Sequence, residues 1–358
     1  MRMSRFSAAL LTLSVTLLGC GGGGGGGSSV DDNSGAAVEM ESQVVVDSLS
    51  FPTGLQFASD GRLFISQLDG NIRVLEDGAL VPQPVVTLPT PDTGGEGILG
   101  LALDPSFSSN GFLYAFYTDP AVFQNQVLRF KVRENRGLEP TLILGGLPVG
   151  GHNGGKLAFG RDGELFVSVG DVGLPELSQD LSSFAGKILR LKRDGSVPAD
   201  NPFAGSPIWA LGFRNPFGLA VHPSSGVLYA TENGPDCNDE VNRVLAGGNF
   251  GWRPGQSCQD TDPAFVSPIA TINPSVGITG AVFYRGGMFS EFKNNLLVGD
   301  FNTGSIRRYL IDEASGGVVV GEAIVLAGTG EPVLALAVDR AGAIYYTTPT
   351  SLKRLVRK

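Results

Sequence analysis

The chain has 358 residues, 42% of them hydrophobic and 17% charged, and carries a formal net charge of −9. That sign argues against a nucleic-acid partner, because binding phosphates needs clustered Lys and Arg. Its 52 glycines are about twice the usual share, as a turn-rich fold requires.

At the amino terminus Arg2 and Arg5 precede an apolar run over 6–18, followed by Leu17-Leu18-Gly19-Cys20. A helical run that short does not cross a bilayer core of about 30 Å, but it suits the apolar region of an export signal. A small residue before cysteine is similar to a bacterial lipobox. On that reading 1–20 is a signal segment and Cys20 the lipidated first residue, an anchor that does not span the membrane. Gly21 after the cysteine points to an outer-membrane or cell-surface location. The plainer reading is an ordinary signal peptide with an incidental cysteine. Seven glycines, 21–27, and the acidic stretch to 42 form a flexible tether. The folded domain is expected over 43–358. Cys237 and Cys258 are expected to pair across an exported loop, a closure worth about 3 kcal/mol in the loop-entropy model.

From residue 43 onward the sequence repeats a unit: a small residue, a strand, an Asp-Gly-like turn, a second strand, and a third carrying Arg among apolar residues. The copies fall at 54–75, 97–132, 150–191, 218–245, 280–310 and 333–356. Their turns are Asp60-Gly61, Asn110-Gly111, Asp162-Gly163, Ser225-Gly226, Asn294-Asn295 and Ala341-Gly342. Six such copies at roughly 50- to 70-residue intervals predict an all-β, six-bladed propeller of four-stranded antiparallel blades. The strand 44–46 is placed to pair with the last blade and close the ring. Only 176–184 reads as a short helix.

In a propeller the loops before each first strand converge on one mouth. The third copy opens with Gly150-Gly-His152-Asn-Gly-Gly and its second strand ends at Asp171. Two adjacent antiparallel strands return the chain, so imidazole and carboxylate can meet as a general-base pair. The plainer reading is a histidine in a glycine-rich turn. The fourth copy opens with Trp209-Ala-Leu-Gly-Phe-Arg214-Asn215-Pro216. Arg214 can donate to a developing oxyanion there, or simply pack on Trp209 at the surface. Next come Glu232-Asn233-Gly234-Pro235-Asp236-Cys237-Asn238-Asp239-Glu240 and Gly247-Gly-Asn-Phe-Gly-Trp252. Acidic residues among glycines suit an oxygen-ligand site for Ca2+, or a solvated acidic loop.

Together, His-x-Gly-Gly-x-Leu-x-Phe-Gly-x-Asp-Gly, Val-Gly-Asp, Gly-x-Arg-Asn-Pro, Glu-Asn-Gly-Pro and Gly-Gly-Asn-Phe-Gly-Trp resemble the soluble quinoprotein glucose/sorbosone dehydrogenase family. The resemblance covers roughly 51–354 and implies aldose oxidation with pyrroloquinoline quinone (PQQ) and Ca2+. It implies His152 as the base on the sugar hydroxyl, Asp171 as the group that orients it, and Arg214 and Asn215 beside the quinone. It implies the carbonyls of Gly234 and Pro235 as Ca2+ ligands. The cofactor cradle departs from the family. Gly95 and Glu96 stand where a glutamine is expected, Asn302 replaces a lysine, and Glu331 and Val333 fall where two arginines are expected. PQQ carries three carboxylates, so those losses remove most of the charge that should hold it; Arg285, Arg307 or Arg308 are candidates to substitute. The readings are therefore a lipid-anchored PQQ- and Ca2+-dependent sugar oxidoreductase, a Ca2+-stabilised carbohydrate- or protein-binding propeller that has lost PQQ, and, third, a Ca2+-dependent lactonase using His152 to activate water.

Overall fold

The computed structural model describes residues 40–91, 95–257 and 262–358. Strand β1 (Met40–Val46) comes first; blade one follows as β2 (Pro52–Phe57), β3 (Leu63–Gln67), β4 (Asn71–Glu76), β5 (Ala79–Leu80) and β6 (Val86–Thr87). Blade two is β7 (Ile98–Leu103), the helical turn α1 (Phe107–Asn110), β8 (Phe112–Asp119), β9 (Gln124–Arg133) and β10 (Arg136–Leu147). Blade three is β11 (Leu157–Phe159), β12 (Leu165–Val169), β13 (Lys187–Leu191) and β14 (Ile208–Leu211). Blade four is β15 (Pro216–Val221), β16 (Leu228–Glu232), β17 (Asp239–Val244) and β18 (Ala270–Ile272). Blade five is β19 (Ile278–Phe283), β20 (Leu296–Asp300), β21 (Ile306–Asp312) and β22 (Val318–Leu326), and blade six is β23 (Leu336–Val338), β24 (Ile344–Thr347) and β25 (Leu352–Arg357).

The fold is the expected six-bladed propeller. Each blade is antiparallel, and β1 supplies the outer strand of blade six, with Met40 opposite Arg357. That join couples the two ends of the domain. The inner strands form a closed circuit in which β2 packs on β7, β7 on β11, β11 on β15, β15 on β19, β19 on β23, and β23 back on β2.

The core lies between blades rather than at the centre. Phe64, Ile98, Leu101, Leu113 and Phe130 fill the first interface, and Tyr114, Phe116, Leu165, Val167 and Leu189 the second. Each such side chain stabilises by about 1.5–3 kcal/mol when fully buried. Hydroxyls join neighbouring inner strands near the mouth. Thr53 donates to the Ile98 carbonyl at 2.6 Å, Thr231 to Thr279 at 2.6 Å, Thr279 to Val333 at 2.6 Å, and Thr347 to Pro52 at 3.1 Å. A small β-branched hydroxyl suits these sites because it spans adjacent blades without filling the channel.

One element differs from expectation. The helix over 176–184 is a 3-10 turn, Pro175–Gln179, and stops at Asp180, whose backbone is extended. The Lys187 ammonium claims the carbonyls of Leu177, Ser178 and Ala185 at 2.7–3.1 Å. The Leu177 carbonyl also takes the Asp180 N–H at 3.1 Å, and the Ser178 carbonyl takes the Gly212 N–H at 3.0 Å, so the turn ends with its last carbonyls satisfied.

Candidate active site

His152 stands on the loop between blades two and three. The Asn153 side chain, largely buried, ties this loop to Gly150 and to Asn125 at 2.9 Å. Gly155 has φ +87°, and a Cβ there would lie 2.5 Å from the Leu99 side chain. A Cβ on Gly170 would lie 2.2 Å from the His152 carbonyl. The glycines therefore let two loops pass in contact, which brings imidazole and carboxylate together.

His152 Nδ1 is 2.6 Å from Asp171 Oδ1. The imidazole is about a quarter exposed and the carboxylate fully buried. Burial alone would push the Asp171 carboxyl upward. Hydrogen bonds from His152, from the Gly173 N–H and from the Trp252 indole outweigh it and hold the group below the usual carboxylate range. An ionised Asp171 fixes the Nδ1–H tautomer and leaves Nε2 to accept a proton.

Blade four completes the group. The Asp171 N–H donates to the Arg214 carbonyl at 2.7 Å, and the Gly154 N–H to Asn215 Oδ1 at 3.3 Å. His152, Asp171, Arg214 and Asn215 thus share one rim. The Arg214 guanidinium does not rest on Trp209, which packs under Arg190 at 4.8 Å; it lies 5.7 Å from the Trp252 ring centre. Its Nη1 donates to the carbonyls of Asn233 at 3.0 Å and Gly234 at 2.9 Å.

A cavity of about 50 Å³ beside Arg214 is lined by Glu232, Gly234, Pro235, Glu240, Trp252 and Gln256, among others. Burial raises the carboxyls of Glu232 and Glu240 above their ordinary range, helped by the charge of Glu240 on Glu232 and of Asp239 on Glu240. The Gln256 Oε1 is buried without a hydrogen-bond partner. Oxygen donors crowded around so small a space fit a hard cation. The Gly234 carbonyl shares itself with Arg214, which leaves it one lone pair. Among the described residues no three His, Cys, Asp or Glu side chains gather as ligands, so a cation here would need carbonyl oxygens as well.

The rest of the rim does not fit a tricarboxylate. Glu96 turns a buried carboxylate oxygen inward with no hydrogen-bond partner. Glu331 is ion-paired with Lys353, and Val333 is buried in the blade-six core. Asn302 sits on an exposed turn of blade five, its N–H on the Val276 carbonyl at 2.9 Å, and brings no charge. None of the substitute arginines fills the gap. Arg285 lines the far end of the central channel, Arg307 faces Asp300 and Glu322, and Arg308 covers Phe292.

Below the mouth, Lys156 forms a floor that sequence reasoning passed over. Its Nζ donates to the carbonyls of Thr53 at 2.8 Å and Leu99 at 2.7 Å and lies 4.4 Å from the Phe217 ring centre. Beyond it runs a channel of about 770 Å³. Trp252 was also missed as a site residue, although it belonged to a motif already visible. Cys237 is buried, whereas Cys258 and Cys20 lie outside the described residues.

A six-bladed ring carrying a histidine–carboxylate pair beside an arginine at one mouth defines a sugar-dehydrogenase-like propeller. Residues 49–357 match the Glucose / Sorbosone dehydrogenase family model, and the chain belongs to that family. A Thermus thermophilus oxidoreductase described as a glucose dehydrogenase is 33% identical, with a TM-score of 0.80 over 88% of this chain and 100% of that one. The PQQ-bound aldose sugar dehydrogenase of Streptomyces coelicolor is 26% identical, with a TM-score of 0.78 over 90% and 99%. The aldose sugar dehydrogenase YliI of Escherichia coli is 26% identical over 351 residues, 90% of this chain and 93% of that protein.

Proposed function

We propose that the protein oxidises an aldose or related polyol at the mouth between blades three and four, with His152 as base. The observation that carries this is the 2.6 Å His152–Asp171 contact on the rim that also holds Arg214. Nε2 takes the proton of the substrate hydroxyl, and the imidazolium so formed lies against the buried Asp171 carboxylate. Arg214 presents fixed positive charge to the oxygen where negative charge builds. If PQQ binds, it would supply hydride acceptance, with His152, Arg214 and Asn215 at its reacting end, while Glu96 and Glu331 do not suit its carboxylates. Ca2+ is assigned to the small cavity, with the Gly234 and Pro235 carbonyls and Glu240 as donors.

The remaining assignments rest on sequence. Cys20 is the lipid anchor to the outer membrane or cell surface. Cys237 bonds to Cys258, in keeping with Cys237 being held as a disulfide half. The acidic rim favours one second reading, a Ca2+-stabilised propeller that binds carbohydrate or protein without PQQ. Addition of PQQ and Ca2+ to the purified protein, followed by aldose-dependent dye reduction, separates the two. Activity that disappears in His152→Ala supports the dehydrogenase. Failure to bind PQQ at high micromolar concentration overturns it in favour of the binding module.

A further inference from the structure

We propose that Trp252 is a positioning residue that holds the His152–Asp171 pair in register with Arg214. The inference rests on the dehydrogenase reading for its kinetic consequence but not for its geometry. The indole Nε1–H donates to Asp171 Oδ2 at 2.7 Å, while Asp171 Oδ1 faces His152 Nδ1 at 2.6 Å. The same indole presents its face to the Arg214 guanidinium, 5.7 Å from the ring centre. One rigid side chain therefore touches the group that orients the base and the group that carries the positive charge.

Several independent contacts fix where this indole sits. The Trp252 N–H donates to the Gly212 carbonyl at 2.9 Å, and Gln179 Nε2 donates to the Trp252 carbonyl at 2.8 Å. Gln179 and Asn249 exchange amide hydrogen bonds at 2.7 and 3.1 Å, and Asn249 Oδ1 also takes the Gly251 N–H at 3.0 Å. Phe250 stacks on Phe213 with ring centres 4.6 Å apart. Gly251 has φ +88°, and a Cβ there would lie 2.9 Å from the Phe265 ring. The Gly-Gly-Asn-Phe-Gly-Trp run thus forms a mount for one indole N–H.

The titratable groups acting on Asp171 are His152, against Oδ1, and Glu232 through the field; Arg214 meets Asp171 through its backbone carbonyl and keeps its guanidinium over the Trp252 ring. Trp252 supplies a neutral donor to the oxygen not used by His152, which favours the ionised carboxylate. Losing one hydrogen bond to a charged group is worth about 1.5 kcal/mol, or about one pH unit. Trp252→Phe keeps the ring face and removes only the N–H. Because the acid limb of the pH–rate profile belongs to the coupled His152–Asp171 pair, it should move up in this variant by at most about one pH unit, with kcat reduced and KM little changed.

A second measurement needs neither PQQ nor activity. The full chain has two tryptophans, so indole-15N labelling gives two N–H resonances, and Trp252→Phe assigns one by its loss. In Asp171→Asn the Trp252 resonance should move upfield while that of Trp209 stays. A Trp252 resonance indifferent to Asp171→Asn would overturn the proposal. So would a Trp252→Phe protein that is less thermostable yet keeps the wild-type pH profile and kcat. An absence of dye reduction in the wild type would sink the dehydrogenase reading alone and leave the resonance shift to decide this one.

Discussion

Lys156→Met should flatten the response of stability to pH above neutrality. The ammonium is buried, with no carboxylate beside it; its partners are two carbonyls and a ring face. Burial pulls its pKa from 10.5 down to about 7. Below pH 7 both the folded and the unfolded chain hold this proton, and the group adds no slope. Between about pH 7 and 10.5 the unfolded chain keeps a proton that the folded chain has shed. Stability then rises with pH by about 1.4 kcal/mol per unit from this residue alone. From pH 7 to 9 the gain is about 2 kcal/mol, because at pH 7 half of the folded molecules still hold the proton. The carbonyls and the Phe217 face oppose the desolvation, at about 1.5–3 kcal/mol per charge-assisted hydrogen bond and up to about 2 for the ring. At the lower end of these values they offset most of the roughly 5 kcal/mol that separates pH 7 from 10.5, so the window moves upward and narrows. Urea midpoints of wild type and Lys156→Met, measured side by side from about pH 6 to 9.5, check this. The difference should move in favour of the wild type as pH rises. Parallel curves would refute the reasoning, because they would mean that the ammonium stays charged throughout and its carbonyl partners fully offset burial.

Asp239→Ala should lower stability by at least about 3 kcal/mol, because the buried carboxylate accepts four backbone N–H groups that would lose their partner. These belong to Gly234 at 3.0 Å, Val276 at 2.7 Å, Gly277 at 2.6 Å and Ile278 at 3.2 Å; thermal melts give the loss, and calorimetric Ca2+ titration should show weaker binding as Gly234 loosens. Glu331→Gln should tighten PQQ binding by about three- to tenfold, since it removes a carboxylate and releases Lys353 from its pair. Fluorescence titration checks that, and unchanged affinity would remove repulsion as the reason the cradle is poor.

The ring and half of the mouth were legible in the sequence because they are local. Each blade's turn and strands are contiguous, and His152 and Asp171 are separated by one hairpin. The strand 44–46 could be placed because its only open edge partner was the last blade. Other features depend on contacts between distant blades. Lys156 reads as one more lysine in a glycine loop until Thr53 and Leu99 close over it. Trp252 stands in a visible motif, yet its partner Asp171 is 81 positions away. The 3-10 turn over 175–179 shows the same limit, since its last carbonyls are met by Lys187 and by the Gly212 N–H, from other parts of the chain. Sequence proximity pairs Arg214 with Trp209, whereas the fold gives it Trp252.

The two sides of the mouth differ in electrical character, and that difference constrains what can bind. Blades three and four present Arg214, His152 (braced by Asp171 and, through it, by Trp252) and Asn215, which donates to Asn233. Blades two and six present Glu96 and Glu331, one unpaired and one bound to Lys353. A neutral polyol meets no Coulombic penalty against such a rim, whereas a trianion is repelled by it. Added salt weakens the attraction of a quinone held by a cationic cradle; if Glu96 and Glu331 repel the anion instead, salt should screen that repulsion and strengthen binding. On the proposed reading, an active protein would have to hold PQQ mainly through blades three and four and the proposed cation site, because Glu96 and Glu331 offer its carboxylates no positive charge.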